Sequence, residues 1–309
     1  MVVLLADEIR RIEPSAELVE LRPDGSFVGD PAGLQVLLFS VDLSFQRPAL
    51  IETMKLLEAD SLEWVQGPGA GVDHPMWSGI IERGTRLTNA SGIHAEPIAQ
   101  YVFTYILHWE RQVVRHQAQQ IAREWQILVS GDLTSKTLGI VGLGGIGAAT
   151  GRVAKAFGMH VSGLRRSDQP VPNVDSQYGP DGLHELLGES DYVVLCLPHT
   201  DETRHLIGAH ELAAMRDDAV LINVARGGVV DEPALIEALE RGRIRGASLD
   251  VTEVEPLPPD SPLWSLDNCV LTPHDAGYSP LAGERLGRLF VENLRRFREG
   301  SVMRNEIRA

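Results

Sequence analysis

The chain has 309 residues, which is enough for two domains, since single hydrophobic cores rarely grow beyond about 250 to 300 residues. Its formal net charge of -15 argues against non-specific binding to nucleic acid or to an anionic membrane surface. No apolar run approaches the roughly 20 residues of a membrane span, and the apolar start VVLLA is too short for a signal peptide. These features predict a cytoplasmic protein with no nucleic-acid or membrane partner.

Short apolar runs alternate with helical patterns along most of the chain, which predicts an α/β fold with parallel sheets. Helical periodicity predicts a long helix from Ala95 to Gln117 and a terminal helix from Leu281 to Arg298. The large apolar residues along the long helix favour packing between domains or subunits, with packing inside one core as the alternative. The predicted strands are Val2–Leu5, Gln35–Phe39, Leu62–Gln66, Arg86–Thr88, Thr137–Val141, His160–Leu164, Tyr192–Leu197, Ala219–Val224, Gly246–Asp250 and Cys269–Leu271.

A glycine-rich turn follows the predicted strand at 137–141. Gly142, Gly144 and Gly147 have the G-x-G-x-x-G spacing, in which a backbone without β-carbons can approach a pyrophosphate. Gly145 and Ile146, which lie between the second and third glycines of this pattern, would begin a helix whose free N–H groups also favour an anion. This arrangement predicts a dinucleotide cofactor.

Two arginines stand where this fingerprint expects an acidic residue that would hold a ribose hydroxyl. Arg165 and Arg166, followed by Ser167, come directly after the next predicted strand. A guanidinium pairs with a 2′-phosphate through charge-assisted hydrogen bonds, whereas a carboxylate would repel it. The pattern predicts NADP(H) as the preferred cofactor, with NAD(H) possible and a solvated basic turn as the alternative.

Three further polar residues follow the ends of later predicted strands. Arg226 lies in INVARGG, Glu255 in LDVTEVEP and His274 in LTPHDAG. Each alone is as consistent with a solvated position as with a catalytic one. Because the carboxyl ends of parallel strands share one edge of a sheet, where such folds bind ligands, the three together predict an active site.

These motifs, together with GPGAGVDH and NASGIHAEPIAQ and in this order, resemble the D-isomer-specific 2-hydroxyacid dehydrogenase family from about Leu62 to Tyr278. The resemblance implies two Rossmann-like domains with parallel sheets around a cleft. It implies a discontinuous substrate domain of residues 1–92 and 275–309 and a dinucleotide-binding domain of residues 93–274. It also implies a homodimer joined through the dinucleotide-binding domain.

The implied reaction is reduction of a small 2-oxo acid, such as glyoxylate or hydroxypyruvate, to a D-2-hydroxy acid by NADPH. The backbone N–H groups of Ala70 and Gly71 would hold the substrate carboxylate, with a tight turn of purely structural role as the alternative. Arg226 would bind the carboxylate and polarise the keto oxygen. His274 would donate the proton to that oxygen, and Glu255 would accept a hydrogen bond from its other ring nitrogen and favour the charged form.

Other residues carry less defined expectations. Asp250 would bind the nicotinamide carboxamide, with a loop or capping role as the alternative. Asp275 stands where the family usually has an apolar or small residue, so it can alter the charge felt by His274. Pocket residues are expected from the Ser40–Phe45 loop and from around His74–Trp77.

A nucleotide-sensing, non-catalytic binding protein like the corepressors of this fold is the alternative function. The presence of Arg226, Glu255 and His274 together favours catalysis. The short segment after the terminal helix leads us to expect a small unphosphorylated substrate and no added partner-binding tail. No histidine or carboxylate pair has metal-ligand spacing in the sequence, so we predict no metal site.

Overall fold

The computed structural model describes residues 2–40, 43, 46–72 and 74–307, without the side chains of residues 2–4. The helices are, in chain order, α1 (Val2–Ile12), α2 (Arg47–Leu56), α3 (Pro75–Glu82), α4 (Ala95–Glu110), α5 (Val113–Ala122), α6 (Gly145–Ala156), α7 (Leu183–Glu189), α8 (Ala209–Ala214), α9 (Glu232–Glu240) and α10 (Ala282–Arg298). The strands are β1 (Glu20–Leu21), β2 (Phe27–Val28), β3 (Val36–Leu38), β4 (Trp64–Gln66), β5 (Arg86–Thr88), β6 (Thr137–Val141), β7 (His160–Leu164), β8 (Ser176–Tyr178), β9 (Tyr192–Leu195), β10 (Val220–Asn223), β11 (Gly246–Leu249), β12 (Cys269–Leu271) and β13 (Glu306–Ile307).

Residues 95–278 form one compact unit around a parallel sheet with the strand order β8-β7-β6-β9-β10-β11-β12. The strand β7 pairs with one side of β6, and β9 pairs with the other side. The direction of strand progression therefore reverses between β6 and β9. Open α/β sheets bind ligands at such a switch point, outside the carboxyl ends of the strands.

Both faces of this sheet are buried. Along β9, Val193 and Leu195 belong to one hydrophobic cluster, whereas Tyr192 and Val194 belong to a second. Successive side chains of a strand point to opposite faces, so two separate clusters show that helices cover both sides. The near-continuous apolar runs in the sequence follow from this double burial.

Residues 1–94 and 279–309 form the other unit, whose larger sheet has the order β3-β4-β5-β13. The strands β3, β4 and β5 are parallel, and β13 pairs antiparallel with β5. Trp64 of β4 is fully buried, stacks on Phe290 of α10 with ring centroids 5.1 Å apart, and donates a hydrogen bond to Thr88 Oγ1 at 2.9 Å. The predicted α/β class is confirmed.

The first predicted strand, Val2–Leu5, is wrong because these residues begin α1. Leu5, Ile9 and Ile12 recur at helical steps and lie in one cluster with Phe290 of α10. A four-residue apolar run fits a buried strand as well as a helix, and only the spacing of the following apolar residues separates the two.

The predicted long helix is interrupted near its end. The helix α4 stops at Glu110, and α5 begins after Gln112, which has a left-handed φ of 51°. Ile98, Val102 and Ile106 of α4 are buried in a cluster of their own unit, beside residues of β6 and β9. The apolar stripe of α4 therefore packs within one core, and its predicted packing between domains or subunits is wrong.

Several short strands escaped prediction. The strands β1, β2, β8 and β13 have only two or three residues each, too few for an alternating pattern to be recognised. Among the described residues, no helix combines the length and the apolar character that crossing a membrane requires.

Candidate active site

The chemical groups singled out in the sequence of the larger unit follow five strands of its sheet. The glycine turn follows β6, the arginine pair follows β7, and Arg226, Glu255 and His274 follow β10, β11 and β12. All five strands run parallel, so these turns lie at the same edge of the sheet.

The glycine turn is closely packed on its protein side. Gly142 has a left-handed φ of 104°, and a Cβ there would lie 2.7 Å from the backbone oxygen of Cys196, just beyond β9. A Cβ on Gly147 would lie 2.2 Å from the backbone oxygen of Gly142. A Cβ on Gly144, the N-cap of α6, would meet no protein atom within 4 Å. Since first-turn N–H groups lack intrahelical acceptors, this open helix start fits a dinucleotide pyrophosphate.

The two arginines lie at the end of β7, beside this turn in the sheet. Arg165 is half-buried and donates one hydrogen bond through Nη1 to the backbone oxygen of Gln169 at 3.2 Å. Arg166 is exposed, and its charge acts on the carboxylate of Glu202. Ser167 is also exposed, and its hydroxyl accepts a hydrogen bond from Gln169 N at 3.3 Å. These three residues thus form a polar turn with two positive charges.

The turn after β10 places Arg226. Asn223 Nδ2 donates to the backbone oxygen of Arg226 at 3.0 Å, and Arg226 Nη1 donates to the backbone oxygen of Ala225 at 2.7 Å. The next residue is Gly227, where a Cβ would lie 1.9 Å from the backbone oxygen of Thr252. Glycine is required there, because the turn after β10 touches the loop after β11.

Glu255 and His274 form a hydrogen-bonded pair. His274 Nδ1 lies 2.8 Å from Glu255 Oε2, while Glu255 Oε1 accepts a hydrogen bond from Thr252 N at 3.2 Å. This pairing occupies Nδ1 and leaves Nε2 to face a ligand, on a side chain that is 46% exposed. His274 has a left-handed φ of 56°, a conformation rare for residues other than glycine and concentrated at functional sites.

The electrostatics of the pair favour the charged forms. The hydrogen bond to Glu255 raises the pKa of His274, against the opposing effects of partial burial and of the Arg226 charge. Partial burial acts to raise the pKa of Glu255, but the hydrogen bond and charge of His274 outweigh it, and that pKa is lowered. Because the pKa of His274 is raised by folding, its contribution to stability is complete below the ordinary value of about 6.5 and is lost as the pH rises through the raised value.

A buried carboxylate holds the His274 loop in place. Asp250 Oδ1 accepts hydrogen bonds from Thr272 Oγ1 at 2.8 Å and Asp275 N at 3.0 Å, and Oδ2 accepts one from Ala276 N at 3.1 Å. The backbone oxygen of Asp250 accepts a hydrogen bond from His274 N at 2.7 Å. Burial raises the pKa of Asp250, while its hydrogen bonds act in the opposite direction. The structure thus gives Asp250 the loop role, and the carboxamide contact stays a prediction.

Two tyrosines of α4 support the same loop, and neither was predicted from the sequence to do so. The Tyr101 hydroxyl donates to Asp275 Oδ1 at 2.9 Å, and the Tyr105 hydroxyl is hydrogen-bonded to Thr272 Oγ1. Asp275, which stands where the family usually has an apolar or small residue, therefore connects the His274 loop to α4 through Tyr101. The available signal was the tyrosine pair four residues apart on a buried stripe, because a buried tyrosine hydroxyl needs a polar partner.

Ala70 and Gly71 lie in the other unit, in the turn after β4. The backbone oxygen of Ala70 accepts a hydrogen bond from Asn89 Nδ2 at 2.7 Å, which fixes the turn. The backbone N–H groups of Ala70 and Gly71 donate to no acceptor within the described part of the chain. Two adjacent N–H groups in a fixed turn are suited to binding an anion.

The other expected pocket segments are partly outside the described residues. Positions 41, 42, 44 and 45 of the Ser40–Phe45 loop lie outside the described residues, as does position 73. His74 is the N-cap of α3, where its Nδ1 accepts a hydrogen bond from Met76 N at 3.2 Å. This capping contact gives His74 a structural role.

Comparison with known proteins places this site in a family. Residues 103–276 match the model of the D-isomer specific 2-hydroxyacid dehydrogenase, NAD binding domain. The glyoxylate reductase of Korarchaeum cryptofilum (strain OPF8) is 40% identical over 258 residues, which span 80% of this chain and 76% of that protein. The chain belongs to the D-isomer-specific 2-hydroxyacid dehydrogenase family.

Two solved structures resemble the chain over nearly its whole length. A D-isomer specific 2-hydroxyacid dehydrogenase from Xanthobacter autotrophicus Py2, in complex with NADPH and MES, is 30% identical with a TM-score of 0.79, covering 100% of this chain and 95% of that one. The NADPH-dependent glyoxylate/hydroxypyruvate reductase from Sinorhizobium meliloti, in complex with NADP and sulfate, is 28% identical with a TM-score of 0.78, covering 98% and 95%. Family membership makes this chain an oxidoreductase with a nicotinamide cofactor and a small-molecule substrate.

Replacing Glu255 with Gln should lower the pKa of His274, because the amide keeps an acceptor but loses the charge that favours the imidazolium. Proton–nitrogen NMR of the titrating imidazole in the ligand-free protein measures this value. Glu253→Gln is the matched control, since Glu253 Oε1 lies 3.0 Å from His205 Nε2 and belongs to the same loop. A His274 pKa that is equal in the wild type and in Glu255→Gln would contradict the pairing.

Proposed function

We propose that this chain reduces small 2-oxo acids, foremost glyoxylate and hydroxypyruvate, to D-2-hydroxy acids in the cytoplasm, with NADPH preferred over NADH. The observation that carries this proposal is the His274–Glu255 pair, 2.8 Å apart, at the sheet edge that also holds Arg226 and the glycine turn. The glyoxylate reductase relative and the two NADP-containing neighbours support the substrate class and the cofactor.

The proposed chemistry divides between charge and proton transfer. When bound, the nicotinamide cofactor supplies the hydride that the carbonyl carbon accepts. The Arg226 guanidinium, a fork of donors, binds the carboxylate and the keto oxygen and stabilises the negative charge that develops on that oxygen. His274 Nε2 then donates its proton to the oxygen, and the hydrogen bond to Glu255, which raises the pKa of His274, favours the protonated imidazole. Glu255 orients the imidazole ring through the hydrogen bond to Nδ1, and its negative charge stabilises the imidazolium before the proton is transferred.

We assign the substrate-domain role to residues 1–94 with 279–309 and the dinucleotide-binding role to residues 95–278. In the first unit, the N–H groups of Ala70 and Gly71 bind the substrate carboxylate. In the second, Gly142, Gly144 and Gly147 let the backbone approach the pyrophosphate, with the N–H groups of Gly145 and Ile146 in the first turn of α6.

Substitution of the two central groups should separate their roles. His274→Ala should lower turnover by about a hundredfold or more, the usual range for a lost general acid, with little change in cofactor binding. Arg226→Ala should lower turnover to a similar extent and also raise KM for the 2-oxo acid, because a carboxylate contact is removed. Steady-state kinetics with glyoxylate and hydroxypyruvate measure both effects.

The control for these variants is His160→Ala. His160 is an exposed histidine paired with Asp175, but it begins β7 and so lies at the opposite edge of the sheet. Wild-type turnover in His274→Ala would refute the proposed proton donor. NADPH binding by the wild type without turnover of any 2-oxo acid would instead support a nucleotide-sensing protein.

The cofactor preference rests on Arg165 and Arg166. Losing a charge-assisted contact with the 2′-phosphate should cost about 1.5 to 3 kcal/mol, or roughly ten- to a hundredfold in affinity. Replacing both arginines with Ala should therefore raise KM for NADPH by that factor and leave KM for NADH nearly unchanged. Kinetics with both cofactors at fixed 2-oxo acid concentration measure the difference.

Arg241→Ala is the control for loss of a surface arginine, since Arg241 is exposed, follows the last residue of α9 and pairs with Glu237 of that helix. It should leave both cofactor KM values unchanged. A wild-type enzyme that uses NADH as efficiently as NADPH would show that Arg165 and Arg166 bind no phosphate.

We also propose that the protein is a homodimer, joined through the exposed apolar segment at residues 113–129. Within that segment Ile121 is 84% exposed, Trp125 100%, Ile127 90% and Val129 91%. Four large apolar side chains exposed within residues 121–129 indicate an interaction site. The segment holds two arginines and one glutamate, so it carries little net charge to oppose its association with a second copy of the chain.

The double variant Trp125→Glu and Ile127→Glu should convert the dimer to a monomer, because it places two charges in the centre of the buried surface. Sedimentation equilibrium of the intact protein measures the mass. Trp264→Glu is the control, as Trp264 is a 57% exposed tryptophan outside the segment. A monomeric wild type, or a double variant that stays dimeric, would exclude this interface.

A further inference from the structure

A cluster of two histidines and one glutamate lies outside the residues used above. His184 is in the first turn of α7, and His210 and Glu211 are in the first turn of α8. The two helices pack together through Leu186 and Leu212, which share one hydrophobic cluster. One ligand atom from each of the three side chains lies within 4.8 Å of the others. The sequence spacing gave no sign of this group, because His184 precedes Glu211 by 27 residues.

The distances in the cluster are close to those between ligands of one metal ion. Glu211 Oε1 lies 3.2 Å from His184 Nε2 and 3.5 Å from His210 Nδ1. Metal–ligand bonds of about 2.0 to 2.1 Å in a tetrahedral zinc site place neighbouring ligand atoms about 3.4 Å apart. An ion can therefore enter between these atoms with small movements of exposed side chains.

The glutamate is already oriented by the backbone. Glu211 Oε2 accepts a hydrogen bond from Gly208 N at 3.1 Å, which turns Oε1 toward the two imidazoles. Supporting hydrogen bonds of this kind orient ligands in metal sites. His210 is 80% and His184 47% exposed, so water can reach the cluster and complete the coordination of an ion.

We propose that His184 Nε2, His210 Nδ1 and Glu211 Oε1 bind a divalent transition-metal ion of the zinc class. Two imidazoles and one carboxylate form the ligand set that suits Zn²⁺, Co²⁺ or Ni²⁺, whereas Mg²⁺ and Ca²⁺ prefer oxygen ligands. The ion would link α7 to α8 on the surface of the larger unit. The site is independent of the proposed reductase reaction, since none of its residues belongs to the sheet edge that carries the active site.

The alternative is that the cluster binds no ion and that both imidazoles only donate hydrogen bonds to Glu211 Oε1. Titration of the untagged, chelator-treated full-length protein with Zn²⁺ in a calorimeter, and with Co²⁺ followed by its visible absorption, distinguishes the two. A metal site should show tight binding of one ion per chain and a cobalt spectrum of tetrahedral type. Zn²⁺ should also raise the thermal unfolding temperature, because it binds only the folded pair of helices.

The variants His184→Ala and His210→Ala should each weaken Zn²⁺ binding by at least about tenfold, since loss of a mere supporting partner already costs about 10- to 100-fold. They should also abolish the thermal shift. His205→Ala is the matched control, because His205 is paired with a single carboxylate, that of Glu253, and should leave binding unchanged. Equal Zn²⁺ affinity in the wild type and in both cluster variants, or no binding in the wild type, would overturn the proposal.

Discussion

The carboxylate of Asp250, 3% exposed, accepts hydrogen bonds from the backbone N–H groups of Asp275 and Ala276 and from the hydroxyl of Thr272. A buried carboxylate is costly unless such partners surround it, so the loop and the carboxylate depend on each other. The backbone oxygen of Asp250 adds a fourth contact, to His274 N. Together they hold His274 in a left-handed conformation that an unsupported histidine would seldom adopt.

From this loop, contacts continue across the edge of the sheet. His274 contacts Glu255, whose other carboxylate oxygen accepts from Thr252 N. The backbone of Thr252 in turn lies so close to Gly227 that no side chain fits between them. The turn after β12 therefore contacts the loop after β11, and that loop contacts the turn after β10. The position of the Arg226 backbone relative to His274 is therefore set by backbone packing and by hydrogen bonds.

Much of this arrangement was predictable, because it depends on local patterns. Strands such as β9 and β10 are buried on both faces and so read as continuous apolar runs, while glycine spacing marks the turn after β6. Features that depend on contacts distant in sequence were not. The four apolar residues at the start of α1 resemble a strand locally, and the packing of Leu5, Ile9 and Ile12 in one cluster with Phe290 of α10 involves a segment far away in the sequence. The hydroxyls of Tyr101 and Tyr105 gained partners only when α4 packed beside the loop at 272–276.

The strand β13 has a consequence for how the protein is made. It pairs with β5, and α10 packs on β4 through Phe290, so the smaller unit is built from both ends of the chain. Residues 95–278 emerge from the ribosome before residues 279–307. All strands of the larger unit can therefore pair before the smaller unit is complete. Until residues 279–307 emerge, the first 94 residues have Trp64 without its α10 partner Phe290 and the outer edge of β5 without its partner strand. During synthesis this segment is therefore the part of the molecule most in need of protection from aggregation.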